Sequence, residues 1–233
     1  MSYQQYRPNR FNLLPPVVKN LLIINGLFFL ATVVFGAQFG IDLTNILGLH
    51  FPLSDEFRPY QLITYMFMHG NFMHLFFNMF ALWMFGNSLE NVWGPKRFLI
   101  YYLVTGIGAA VCHYTVVYFQ MQPALDYINS NIIEHPELEA MRQEVLNAPV
   151  VVGASGSVFG ILLAFGMLFP NTLLYIYFAI PIKAKWFVVL YGVAELLSGL
   201  AGAPGDNVAH FAHLGGMLFG FILIKYWKKT GNY

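Results

Sequence analysis

Six separate stretches of this chain run for about twenty residues with scarcely a charge, at about 18–38, 71–90, 97–119, 151–169, 184–203 and 208–227. About twenty apolar residues is what one helix needs to cross a hydrocarbon core of ~30 Å. Charged residues make up only 10% of the 233 residues and hydrophobic ones 58%, where soluble domains carry roughly 25% charged residues. Such a chain expects lipid as its solvent. In lipid every backbone N–H and C=O must be bonded within the chain, so the expected fold is all-α, a bundle of six transmembrane helices. No internal repeat and no linker divides it. The expected organisation is a tail over 1–17, one membrane domain over 18–227 and a second tail over 228–233. The stretches 39–70 and 120–150 are long connections. Within the second, "EHPELEAMRQEVL" reads as a short amphipathic surface helix or as a mobile loop.

Six spans put both termini on one side of the membrane, and the basic residues say which. That side would hold Arg7, Arg10, Lys19, Lys96, Arg97, Lys183, Lys185, Lys225, Lys228 and Lys229, and the other only Arg58 and Arg142. The positive-inside rule then makes the termini cytoplasmic. The polar start, "MSYQQYRPNRFNLLPP", lacks a cleavable signal pattern. Its arginines could mimic a transit peptide, but serine enrichment is missing. The expected address is a multi-pass protein of a bacterial plasma membrane. A net charge of +1 gives no sign of nucleic-acid binding, and the single Cys112 allows no internal disulfide.

Ionisable groups inside a membrane are costly and usually functional. Spans two, four and six all run from outside inward. His74 and Asn78 lie one to two turns into the second, Ser155 about one turn into the fourth, and His213 between one and two turns into the sixth. At 1.5 Å of rise per residue, all four sit roughly 5–10 Å below the outer surface. A serine hydroxyl becomes a nucleophile when a neighbouring base takes its proton, and an imidazole such as that of His213 can serve as that base near neutral pH. Gly156 and Gly160, and Gly216 and Gly220, offer flat faces for close packing of spans four and six. His74 and Asn78 share one helix face. With the backbone N–H of Ser155 they would form a three-donor oxyanion hole. No carboxylate presents itself as a third member. Asp206 lies too far up the helix, and Glu195 too deep in a regular fifth span. A Ser155–His213 dyad is therefore expected.

Plainer readings stand beside these. "GASG" alone is compatible with helix packing, and Ser157 is an alternative nucleophile. Ser155 is preferred because the flanking Gly153 and Gly156 give substrate and backbone room to approach. Phe159 could stack on His213 or simply fill core. His69 and His210 read as hydrogen-bonding or structural, and Glu195 as ordering helix contacts. Trp83, Trp93 and Trp186 read as packing or interface anchors. Three other functions compete. A metal or haem protein would use His69, His74, His210 and His213, leaving Ser155 and Asn78 without a role. A non-catalytic binding scaffold would not need both dyad members. A transporter would show spans broken at the midplane, which are missing.

With these residues in view, the chain resembles the rhomboid family of intramembrane serine proteases. "GASG" fits that family's G-x-S-G, with its nucleophile at Ser155. "AHLGGMLFG" fits A-H-x-x-G-x-x-x-G, with its base at His213. "HGNFMHLFFN" fits H-x-x-x-x-H-x-x-x-N, with oxyanion donors at His74 and Asn78. "LENVWGPKRF" resembles the family's Glu and Gly after the second span, here Glu90 and Gly94. The resemblance implies a rhomboid-like six-helix bundle, no cofactor, and cleavage of single-span membrane proteins near the outer end of their helix. Many relatives carry Tyr where Phe159 stands; stacking survives that change, but a phenol hydrogen bond does not. Expected partners are transmembrane protein substrates and the lipid bilayer.

Overall fold

The computed structural model describes residues 11–148, 150–176, 179–202 and 208–231. The chain begins with α1 (Pro16–Phe39), then two short helices, α2 (Leu43–Leu47) and α3 (Gln61–Thr64), and a 3₁₀ turn over Tyr65–Phe67. Next come α4 (Phe72–Ala81), a π-helical segment over Leu82–Gly86, and α5 (Asn87–Trp93). The long α6 (Pro95–Asn131) leads to α7 (Leu138–Asn147) and α8 (Ser155–Leu168). A hairpin of β1 (Leu173–Ile176) and β2 (Ile180–Lys183) precedes α9 (Ala184–Ala201) and α10 (His210–Lys229). The strands are antiparallel, with Leu173 opposite Lys183 and Ile176 opposite Ile180. Helices α6, α8 and α10 form the centre, while α1 and α9 keep most of their apolar side chains exposed, as lipid-facing helices do.

By length and composition, α1, α6 and α9 are each able to cross a membrane. The expected second span is assembled from α4, the π segment and α5, while α8 is apolar but only 14 residues long. Two expectations change. The third span was expected to stop near 119, with a loop over 120–150; instead α6 continues to Asn131. Leu125 and Ile128 explain the extension: both are buried, and Val117 and Met121 pack one turn apart on the same stripe. An apolar stripe at helical spacing holds a helix together beyond the membrane as well as within it. Leu146 of α7 is buried in the same cluster, so "EHPELEAMRQEVL" contains a packed helix.

The fourth span was expected to begin at about 151, but residues before Ser155 are extended. Val151 and Leu49 exchange both backbone hydrogen bonds, at 2.9 and 3.0 Å, and Gly153 N–H donates to the Tyr65 carbonyl at 2.9 Å. Three consecutive β-branched residues, Val150 to Val152, suit this strand-like run. Ser155 is consequently the first residue of α8 rather than one turn inside it.

Two packed ends are recognisable. At one, the Glu90 carboxylate accepts the N–H groups of Val17 and Val18 at 2.9 and 2.8 Å, filling orphan donors at the start of α1. Gly94 there adopts a φ of 78°, which favours glycine, and turns the chain from α5 into α6. Trp93, Tyr101 and Trp227 pack together beside it, the two indoles edge-to-face at 5.5 Å. Trp93 is thus a packing residue, whereas Trp83 and Trp186 are 41% and 56% exposed on the outside of the bundle, where anchors would sit. At the other end, Tyr114 hydroxyl donates to the Leu49 carbonyl, tying α6 to the segment that precedes α3.

Of the four helix-face glycines, one pair joins α8 to α10. A Cβ on Gly216 would lie 1.9 Å from the Gly156 carbonyl oxygen, so the backbones touch. Gly160 and Gly220 instead face α6: their Cβ atoms would meet Thr105 and the Tyr101 hydroxyl at 2.6 and 2.2 Å. Tyr101 hydroxyl donates to the Gly160 carbonyl at 2.8 Å in the space so created. Gly216→Ala should therefore force α8 and α10 apart, at a cost of about 1–3 kcal/mol, the usual range for overpacking. Gly26→Ala, where nothing lies within 4 Å, should not. Thermal unfolding in detergent checks both; equal midpoints would contradict the contact.

Candidate active site

The contact of Gly216 with Gly156 brings the starts of α8 and α10 together, and their polar residues meet there. Ser155 Oγ lies 2.9 Å from His213 Nε2. The His213 ring stacks on Phe159, one turn along α8, with centroids 4.1 Å apart and planes 5° from parallel. Phe159 thus packs against the imidazole itself. Phe159 also contacts Tyr191 of α9, at 4.9 Å between centroids.

The other edge of the imidazole meets a carboxylate that sequence reasoning set aside. Glu195 Oε2 lies 2.8 Å from His213 Nδ1 and 2.7 Å from His210 Nδ1. A regular fifth span over about 184–203 places Glu195 too deep to join the site. The helix ends at Ala201, so Glu195 lies less than two turns, about 9 Å, from its end. Neighbouring antiparallel helices bring that level of α9 beside the first turn of α10. Gly199 confirms the register, since a Cβ there would lie 3.1 Å from His210 Cβ. Asp206, the other carboxylate weighed, falls outside the described residues.

His74 and Asn78 come from α4. Asn71 caps that helix by accepting the His74 N–H at 2.8 Å, which fixes where the imidazole starts. The ring lies over Gly153: a Cβ on that glycine would be 2.8 Å from His74 Nε2 and 3.6 Å from Ser155 Oγ. Gly153 has a φ of 128°, so both its conformation and the space above it call for glycine. Asn78 is one turn deeper and 6% exposed; one hydrogen of its amide is donated to the His74 carbonyl at 2.9 Å. The amide keeps its second hydrogen. The N–H groups at the start of α8, Ser155 included, have no carbonyl ahead of them within the helix.

Ser157, the alternative nucleophile, faces elsewhere. It is 1% exposed and its hydroxyl donates to the Tyr102 carbonyl at 2.7 Å. His69 packs edge-to-face on His74 at 5.0 Å and is 2% exposed, a packing position behind the site. His113, on α6, is a further imidazole within electrostatic range of His213. The sequence reading passed over it, although a histidine inside "GAAVCHYTVVYF" is itself the signal of a polar group in an apolar span.

Comparison with known proteins gives the family. Residues 56–229 match the Rhomboid domain family. The chain belongs to the rhomboid family. Its rhomboid relatives include "Rhomboid protein 1, mitochondrial" of Saccharomyces cerevisiae, 32% identical over 165 residues, covering 70% of this chain and 40% of the relative. "Putative rhomboid protease YdcA" of Bacillus subtilis is 30% identical over 166 residues, covering 70% of this chain and 65% of the relative. "RHOMBOID-like protein 12, mitochondrial" of Arabidopsis thaliana is 29% identical over 204 residues, covering 86% and 55%. The chain therefore spans between two fifths and two thirds of these relatives. Like other rhomboids it is an integral membrane protein. Its relatives include mitochondrial, chloroplastic and bacterial proteins, so they do not single out the bacterial plasma membrane expected from the sequence.

An activated serine reacts with fluorophosphonates, and a serine whose hydroxyl is committed to a backbone carbonyl does not. Labelling of the folded protein should be lost in Ser155→Ala and retained in Ser157→Ala. The opposite pattern, read by mass spectrometry, would reassign the nucleophile.

Proposed function

We propose that this rhomboid is an intramembrane serine endopeptidase with Ser155 as nucleophile and His213 as general base. One observation carries the reading: the 2.9 Å contact between Ser155 Oγ and His213 Nε2 at the adjoining starts of two apolar helices. The names of relatives as rhomboid proteases support it. As Oγ attacks a peptide carbonyl, its proton passes to His213 Nε2 and the carbonyl π pair moves to oxygen. Collapse of the tetrahedral intermediate expels the amine, which takes the proton from His213, and water then releases the acyl group by the same exchange. The oxyanion would lie over Gly153, within reach of the Ser155 N–H, His74 and Asn78.

The proposed topology is six crossings: α1, the composite of α4 and α5, α6, α8, α9 and α10, with both termini cytoplasmic. The bias of ten basic residues to two supports the orientation. A helix of 14 residues is only ~21 Å long, against a core of ~30 Å. A short α8 is how the first residue of a helix, Ser155, comes to lie below the outer surface.

A helical substrate hides its carbonyls in i→i+4 hydrogen bonds, so it must unwind to reach Ser155. Unwinding costs least near a helix end and where Gly or Pro weakens the helix. Single-span proteins should therefore be cut in the outer part of their helix, after a small residue, because the His74 ring fills the space beside Gly153.

A second reading, a metal centre, is favoured by one cluster: donor atoms of Glu195, His210 and His213 lie within 4.8 Å of one another. It is a different set from the four histidines first considered, since His69 and His74 are not in it. Metal analysis of the purified protein, together with activity after chelation, separates the readings.

Two outcomes test the protease reading. Ser155→Ala and His213→Ala should each abolish turnover of a model transmembrane substrate, with the double variant little worse than either. His74→Ala and Asn78→Ala should lower kcat on the order of 10²-fold with little change in KM; loss of affinity at unchanged kcat would make them substrate contacts. For the substrate, a version with Gly and Pro in the outer third of its helix should be cleaved faster than a Leu-rich one. A cut near the cytoplasmic end would overturn the orientation, and equal rates would overturn selection by unwinding.

A further inference from the structure

We infer that Glu195, held by His210, is a positioning residue that fixes the tautomer of His213, so that the unit works as Ser155–His213–Glu195 rather than as a dyad. The inference rests on the reading of Ser155 as nucleophile.

The argument begins with a count of donors. One oxygen, Glu195 Oε2, is within hydrogen-bond distance of two Nδ1 atoms, at 2.8 Å to His213 and 2.7 Å to His210. An ionised carboxylate only accepts, so both Nδ1 atoms carry hydrogen. A neutral imidazole has one N–H, and His213 spends its own on Glu195. Its Nε2 is left with the lone pair, facing Ser155 Oγ at 2.9 Å. That is the tautomer able to take the serine proton; in the other, Nε2–H would face the hydroxyl and could take nothing. When His213 becomes an imidazolium, the carboxylate lies against its other nitrogen and stabilises the charge as it develops.

His210 serves the carboxylate. Glu195 is 7% exposed on a helix whose other faces are mostly exposed to lipid. A buried carboxylate is tolerated when paired and hydrogen-bonded. His210 and His213 approach it from one helix, three residues apart, with ring planes nearly perpendicular at 85°. Two donors from α10 fix where Oε2 sits, and Phe159 stacked on His213 prevents the ring from turning away. The titratable groups facing this unit are His74 from α4, His113 from α6, Tyr191 on the same helix as Glu195, and His210.

Glu195→Gln is the discriminating change because it keeps the shape and removes the charge. Its amide oxygen, set in the place of Oε2, still accepts both Nδ1–H groups but carries no negative charge to set against the imidazolium. The expected result is a fall in kcat of about 10²-fold or more, as for carboxylate members of soluble triads, with KM nearly unchanged. Glu195→Asp, which restores the charge on a shorter arm, should recover part of the rate. His210→Ala should lower kcat in the native background and have little further effect in Glu195→Gln, because it acts through Glu195. A folded Glu195→Gln protein with native kcat, while Ser155→Ala is inactive, overturns this inference and leaves the protease reading standing. Activity surviving in Ser155→Ala overturns the protease reading itself. Nitrogen NMR of the imidazoles in the unsubstituted protein tests the same point whether or not the variants fold: His213 protonated at Nδ1 supports the inference, and protonated at Nε2 refutes it.

Discussion

The approach of α8 to α10 sets the scale for everything at the site. Helix axes packed through ordinary side chains stay 8–10 Å apart, and a serine at the start of one helix could not then reach an imidazole in the first turn of the other. Here Gly216 lies against the carbonyl of Gly156, and its missing Cβ allows the backbones to touch. In lipid this packing has little hydrophobic drive behind it, because lipid tails are as apolar as leucine; close van der Waals contact and interhelical hydrogen bonds replace it. The third helix, α6, takes part on the same terms, with Tyr101 bonding the Gly160 carbonyl and Ser157 bonding that of Tyr102.

A second constraint follows from the solvent. Polar groups below the membrane surface must find partners inside the chain, and those of this rhomboid do so in a few concentrated places. Glu90 satisfies the start of α1 from the far end of the second helical run. Glu195 gathers two imidazoles. The short strand-like run before Ser155 bonds to Leu49 and Tyr65, so that α8 begins only at Ser155. The first of these arrangements is structural and the other two hold the site, yet all obey one rule: an ionisable or unpaired group at depth is kept only where neighbouring elements supply its hydrogen bonds.

How much of this could be read from the residues varies with the range of the interaction. That Ser155, His213 and His74 could meet was legible because residues at comparable distance along neighbouring helices share a layer, and the place of Phe159 because it stands one turn from Ser155 on the same face. Glu195 was misjudged by the same argument, since an error of two residues in the end of α9 moves a side chain by about 3 Å. The continuation of α6 was missed because overall hydropathy declines after residue 119 while its buried stripe persists. The glycine faces were found but only partly assigned. A small residue announces that something comes close, not which helix comes.

The sequence by itself determined that this chain lives in a membrane, that it is helical, and which polar residues interrupt its apolar stretches. Those properties depend on apolar run length and charge placement, and both are local. Only the tertiary structure decided which edge of His213 faces Ser155 and which faces Glu195, that Ser157 is turned to a carbonyl, and that Gly153 lies beneath His74. Those outcomes depend on the rotation of each helix about its axis and on its offset along it, quantities fixed by packing between helices to within an ångström or so. A hydrogen bond is decided within a few tenths of an ångström, which is finer than any periodicity in the sequence can specify.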